Sequence, residues 1–132
     1  MKNKITIIIP YFKKKKYIDK CIKSILSQTF KSFSIIIIYD DTDLSELKFI
    51  EKYKKNKKIK VLVNKSKNHG AGPARNIALK HTKTKYIAFL DADDYWSKNK
   101  LQHQFNLMEK NNYEITHTNY FTIDEYGKIF GS

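Results

Sequence analysis

Residues 86–96 read YIAFLDADDYW, an apolar run that gives way to three carboxylates in four positions. The run 86–90 is aromatic and β-branched with no polar residue inside it, the pattern of a strand buried on both faces of a parallel sheet. Runs of the same character lie at 5–9, 35–39 and 59–63, separated by segments of helix length. In the first segment Tyr17, Ile18, Cys21, Ile22, Ile25 and Leu26 recur at spacings of three and four, which makes one apolar helical stripe. Leu44, Leu47, Phe49, Ile50 and Tyr53 predict a second helix, opened by Asp43 or Ser45 as cap. A third helix is expected over about 73–80. A fourth follows Trp96, carrying Leu101, Phe105 and Leu107 or Met108. Four strands alternating with four helices imply an α/β fold with right-handed crossovers. Beyond them the spacing predicts a fifth strand over 113–117 and a hairpin around Tyr126-Gly127.

Ligands of open α/β sheets bind at the carboxyl ends of the strands. Both acidic clusters fall there, because Asp40, Asp41 and Asp43 follow the second apolar run and Asp91, Asp93 and Asp94 follow the fourth. Repulsion and desolvation make such clusters costly unless a positive group sits among the oxygens. A calcium-binding EF-hand loop starting at Asp91 is excluded, since its sixth and twelfth positions hold Trp96 and Gln102 instead of Gly and Glu. An aspartate-nucleophile phosphatase ordinarily carries its pair after the first strand, not the fourth. Mg²⁺ or Mn²⁺ suits Asp91 and Asp93 better, because such ions accept one or two carboxylates and complete their shell with water and phosphate oxygens.

The loop 68–76 on the same edge, NHGAGPARN, holds two of the four glycines, one of the two prolines and the single arginine, Arg75. Gly70 and Gly72 allow close backbone approach, and Pro73 suits a first helical turn. Free N–H groups at a helix start offer a phosphate site, and Arg75 adds a planar fork that lysine cannot imitate. His69 reads as a plain loop residue, and His81, His103 and His117 are too scattered to ligate a metal.

The 132 residues are 41% hydrophobic and carry a formal charge of +13, enough for one globular domain over 1–132 without linker or repeat. Lysines are spread along the whole chain without a basic stripe or a nucleic-acid-binding motif, so specific nucleic-acid binding is not expected. Lys13 to Lys16 and Lys54, Lys55, Lys57 and Lys58 are contact points for an anionic lipid surface or a phosphorylated ligand. The single cysteine, Cys21, cannot form an internal disulfide and reads as a small core residue of a reducing compartment. The five-residue apolar run before Pro10 is too short for a signal-peptide core or a membrane span, so a cytoplasmic protein is expected.

Taken in order, ITIIIPYFKKKKYIDKCIKSILSQTF (5–30), IIIIYDDTD (35–43), GAGPARNIAL (70–79) and KYIAFLDADDYW (85–96) resemble the nucleotide-binding half of the inverting glycosyltransferases of family 2. The resemblance implies a GT-A fold, a Rossmann-like, mostly parallel sheet flanked by helices. It also implies transfer of a sugar from a nucleotide-diphosphate donor, usually a UDP-sugar, to an acceptor hydroxyl in surface polysaccharide or lipooligosaccharide synthesis. The acceptor would be a glycan or lipid-linked, met peripherally at the inner face of the membrane. Residue by residue, Pro10 and Tyr11 would lie near base and ribose, Asp41 would accept a hydrogen bond from the base, and Arg75 would hold the nucleotide. Asp91 and Asp93 match the family's Asp-x-Asp motif, with Asp93 as the metal ligand and Mn²⁺ or Mg²⁺ as cofactor. Residues 1–101 would form the nucleotide-binding core and 102–132 the start of an acceptor-side region.

Two departures touch the base contacts. Tyr11-Phe12-Lys13 stands where the family has Tyr-Asn after a polar or small residue, and the loop after Asp40-Asp41 is two residues shorter. The family's general base lies later in the domain, so the sequence reads as C-terminally truncated and no catalytic residue is identified. Asp124 and Glu125 are the only carboxylates after Glu114 and fall in the expected hairpin turn. A catalytically silent nucleotide-sugar-binding or assembly module is therefore the alternative. Apolar surface left uncovered by such truncation would favour a homodimer.

Overall fold

The four apolar runs form one sheet in the computed structural model, which describes residues 2–131. Strands β1 (Ile5–Tyr11), β2 (Phe33–Tyr39), β3 (Ile59–Val63) and β4 (Tyr86–Phe89) all run parallel in the order β3-β2-β1-β4. Their carboxyl ends therefore share one edge, with Tyr11 opposite Tyr39 and Tyr39 opposite Val63.

Strand residues alternate between faces, and the isoleucine runs use both. Ile5, Ile7, Ile9, Ile35 and Ile37 pack on one face against helix α1 (Lys15–Leu26), which buries Ile18, Cys21, Ile22 and Ile25. Leu101 and Phe105 of helix α4 (Lys100–Asn111) join that cluster. Ile8, Ile36 and Ile38 turn to the other face and meet Ala74 and Ala78 of helix α3 (Ala71–Leu79). The small alanines let α3 lie close to the central strands. Two-sided burial thus holds for β1 and β2. On β4 it fails, because Tyr86 and Ala88 pack inward while Ile87 and Phe89 are exposed.

Three other expectations need correction. The second helix is a single turn and a half, α2 (Leu47–Glu51), flanked by 3-10 turns at Leu44–Glu46 and Lys52–Lys55. Asp43 caps the first of these 3-10 turns, accepting the N–H of Ser45, while α2 itself has no side-chain cap. Helix α3 begins at Ala71 rather than at Pro73, which sits within its first turn. Residues 113–117 form no strand: Asn112 takes a left-handed φ of 54° that ends α4, and the chain beyond finds no sheet neighbour, leaving Tyr113 and Ile115 exposed. The hairpin is present, with β5 (Thr122–Ile123) antiparallel to β6 (Ile129–Gly131) and Gly127 at φ 83° in its turn.

Among the described residues, no helix is long and apolar enough to cross a membrane.

Candidate functional site

At the carboxyl edge of the sheet, a cavity of about 430 Å³ opens between the ends of three strands and the start of α3. Pro10, Tyr11, Phe12 and Lys14 line it from the end of β1, and Asp40 from the end of β2. His69, Gly70, Ala71 and Arg75 enter from the loop into α3, and Asp91, Ala92 and Asp93 from the segment after β4. Five of the six residues singled out from sequence, Pro10, Tyr11, Arg75, Asp91 and Asp93, thus share one cavity. Asp41 does not line it. Its side chain is almost buried and Oδ1 accepts the N–H of Asp43.

The walls are held from behind. Tyr11 is fully buried and stacks on Tyr39, with ring centroids 5.7 Å apart. Its hydroxyl donates to Glu46 Oε1 at 2.5 Å, and burial together with that carboxylate keeps the phenol protonated far above its ordinary range. Tyr39 donates to the carbonyl of Asp43 at 2.6 Å, fixing the turn that carries the first acidic cluster. The segment after β4 is tied to α1 and the turn that follows it by three residues. Cys21 Sγ lies 3.6 Å from the carbonyl of Asp91, Ser24 Oγ accepts the N–H of Trp96, and Gln28 reaches Ser97 and Leu101. Burial, with the nearby carboxylates Asp94, Asp93 and Asp91, pushes the Cys21 thiol up to about 12, so this residue positions backbone and is not a nucleophile.

Asp40, nearly fully buried, organises the loop. Its Oδ1 accepts from Asn64 Nδ2 at 2.8 Å and lies 2.8 Å from His69 Nδ1, while its Oδ2 accepts the N–H of Gly70 at 2.7 Å. His69, expected to be a plain loop residue, is therefore part of the cavity wall. The signal was a buried carboxylate that had to find partners in a loop brought near by the fold, and sequence spacing carries no such information. Gly70 adopts φ 114° and ψ 167°, a region open essentially to glycine alone. A Cβ there would meet Pro73 only at 3.9 Å, so the penalty is conformational rather than steric. Gly70→Ala is expected to lower stability by about 1–3 kcal/mol, read from the shift of the urea midpoint at unchanged m-value.

Charge converges on the same wall. Ligand oxygens of Asp91, Asp93 and Asp94 lie within 4.8 Å of one another, and all three residues are exposed. Desolvation and then the neighbouring carboxylates Asp93 and Asp91 raise the Asp94 pKa, and Lys14 offsets this only in part. Arg75 donates from Nη2 to Asp91 Oδ1 at 2.9 Å, and its guanidinium lies 5.7 Å from the Phe89 ring centre. Its Nε is buried and finds no hydrogen-bond partner among the described residues. Lys14 Nζ stands 3.3 Å from Asp93 Oδ2. An acidic trio faced by a guanidinium and an ammonium fits a divalent cation and a phosphate-bearing ligand side by side.

A second, larger cleft of about 770 Å³ lies at the opposite edge, among the residues that lead into the strands. Lys54, Lys57 and Lys58 line it, so the two lysine clusters noted in the sequence face opposite ends of the sheet.

Comparison with known proteins bears on the family and the fold. An uncharacterized glycosyltransferase of Rickettsia conorii is 44% identical over 131 residues, 98% of this chain and 21% of the relative. The Escherichia coli protein WfgD, named a UDP-Glc:alpha-D-GlcNAc-diphosphoundecaprenol beta-1,3-glucosyltransferase, is 37% identical over 91% of this chain and 47% of its own length. The chain thus spans between about a fifth and a half of these curated relatives. The crystal structure of S. aureus TarS 1-349 in complex with UDP-GlcNAc superposes with a TM-score of 0.73 at 29% identity, covering 83% of this chain and 32% of TarS. The fold is accordingly GT-A-like, a mostly parallel sheet flanked by helices. The model of glycosyl transferase family 2 matches residues 6–130, and the chain belongs to that family.

Proposed function

We propose that the cavity binds the nucleoside diphosphate of an activated sugar, with uracil the base of choice, and that the protein passes the sugar to a hydroxyl of a glycan or lipid-linked acceptor with inversion. The observation that carries this reading is the convergence of Arg75, Lys14, Asp91 and Asp93 on one cavity wall at the carboxyl edge of the sheet. Similarity to a protein crystallised with UDP-GlcNAc and to a UDP-Glc-dependent transferase supports the choice of donor.

Arg75 presents a rigid fork for phosphate oxygens through the Nη end that also meets Asp91. The start of α3 at Ala71 adds a backbone N–H on the same side, the Gly70 N–H being held by Asp40. Pro10 and Tyr11 form the floor beneath the nucleoside, and Asp41, set behind the wall, is assigned to the base. Asp91 and Asp93 would hold Mn²⁺ or Mg²⁺, which supplies Lewis-acid neutralisation of the leaving diphosphate. Residues 1–101 form the donor-binding core in this reading and 102–132 begin the acceptor side. Asp124 is engaged as a turn cap, accepting the N–H groups of Tyr126 and Lys128, and is not assigned as the general base.

Lys13, Lys15 and Lys16 are exposed beside the cavity mouth. They offer anionic lipid a contact worth about 1 kcal/mol per lysine, which would hold the cavity near a lipid-linked acceptor at the inner membrane face.

The test is thermal unfolding with UDP, GDP and dTDP, each with and without Mn²⁺. UDP is expected to raise the midpoint only when Mn²⁺ is present, since a ligand at 100 times its Kd stabilises by about 2.7 kcal/mol. A cooperative unfolding curve unmoved by any diphosphate would remove the donor pocket. Sugar transfer or donor hydrolysis then separates an enzyme from a module that only binds.

A further inference from the structure

Of the four consecutive lysines that follow Phe12, only Lys14 lines the cavity wall. Lys13, Lys15 and Lys16 are exposed and lie over the rings of Phe12, Phe49 and Tyr17, whereas Lys14 is half-buried with Nζ 3.3 Å from Asp93 Oδ2. The turn that aims it is bought at some cost, for Lys13 sits at φ 50°, one of two non-glycine residues with positive φ among those described. Arg75 occupies the other half of the acidic motif through Asp91. The two cations differ in freedom. Arg75 is fixed by Asp91 and by the Phe89 ring, while a lysine ammonium swings on a flexible four-carbon stem with three donors.

We propose that Lys14 is a movable counter-ion: it neutralises Asp93 until a divalent cation takes that carboxylate, and then transfers its ammonium to the diphosphate of the bound donor. The inference rests on the donor-pocket reading above. Lys14 and the cation compete for one oxygen, so cation binding alone is weakened. Cation and nucleoside diphosphate together are favoured, because the displaced ammonium gains phosphate oxygens in exchange. The site thereby discriminates against occupation by metal without nucleotide.

Calorimetry on the chain and on Lys14→Met tests this with two probes, Mn²⁺ alone and UDP in saturating Mn²⁺. Lys15→Met removes the same charge from a neighbouring position and serves as control. For Lys14→Met the Mn²⁺ Kd is expected to fall about two- to fivefold, the range set by an exposed ion pair. Its UDP Kd is expected to rise about tenfold, as befits loss of a charge-assisted hydrogen bond. Lys15→Met should change neither by more than about twofold. Lys14→Met indistinguishable from Lys15→Met in both measurements overturns the proposal while leaving the donor pocket standing. Weaker UDP binding with unchanged Mn²⁺ affinity overturns the exchange. A wild-type chain that binds neither probe overturns the donor-pocket reading and this proposal with it.

Discussion

Asp93→Asn is expected to abolish Mn²⁺-dependent UDP binding and to leave the fold intact. The side chain is 40% exposed and its ion pair is the contact to Lys14. An exposed pair of this kind contributes no more than about 1 kcal/mol, so the unliganded unfolding midpoint should move by only a few degrees. The effect on the cation is of another size. An amide at Asp93 keeps the shape and removes one of three clustered negative charges. Changes behind a metal ligand already cost 10–100-fold in affinity, so loss of a ligand itself should exceed about 100-fold. Calorimetric titration of UDP with and without Mn²⁺ reads the difference directly. If Mn²⁺ still strengthened UDP binding to Asp93→Asn, the metal role would pass to Asp91 and Asp94. Weak binding that is equal with and without Mn²⁺ would instead leave Arg75 and the released Lys14 as the residual phosphate contacts.

The sheet was legible because both faces of β1 and β2 are covered, so the sequence had to supply unbroken isoleucine runs at Ile7–Ile9 and Ile35–Ile38. The acidic motif was legible for a related reason: in a parallel sheet the residue after each strand falls on the ligand edge, and strand ends can be read from where the apolar run stops. What failed lies where packing is one-sided or absent. The apolar positions from Leu44 to Tyr53 have helical spacing, but the segment folds as one short helix between two 3-10 turns. Residues 113–117 have strand composition, yet composition forms a strand only beside a partner edge. Lys14 was hidden by its neighbours, since four identical residues look like one solvated face and only the turn at Lys13 separates them. Asp41 and Asp40 illustrate the remaining limit. Adjacent carboxylates point to opposite sides of a chain leaving a strand, and which of them enters the cavity is decided by the loop that arrives from β3.

That arrangement gives Asp40→Ala the second large effect. The carboxylate accepts from Asn64 and from the backbone of Gly70 and contacts His69, and with Asp41 it is one of two carboxylates buried among the described residues. Truncation removes the acceptor of the Gly70 N–H and one of the two acceptors of the Asn64 amide, which keeps the Asn68 carbonyl, at about 1–3 kcal/mol for a buried group left unsatisfied. A total loss of about 2–4 kcal/mol is expected, measured as the fall in urea midpoint. The consequence reaches the site, because the same three contacts set the entry to α3 and with it the position of Arg75. UDP binding in Mn²⁺ should therefore weaken by at least tenfold under conditions where the variant is still folded. Asp40→Asn separates the two roles. Its carbonyl oxygen can accept from Gly70 or from Asn64 but lacks the second carboxylate oxygen, so stability should recover in part. If Asp40→Ala unfolded at the wild-type midpoint, the loop would be held by Asn64 and Ser66 alone and Asp40 would face the ligand as a direct contact. A destabilised Asp40→Ala that binds UDP normally would detach the geometry of Arg75 from this loop, and the cavity wall would have to be fixed by Asp91 and Phe89 instead.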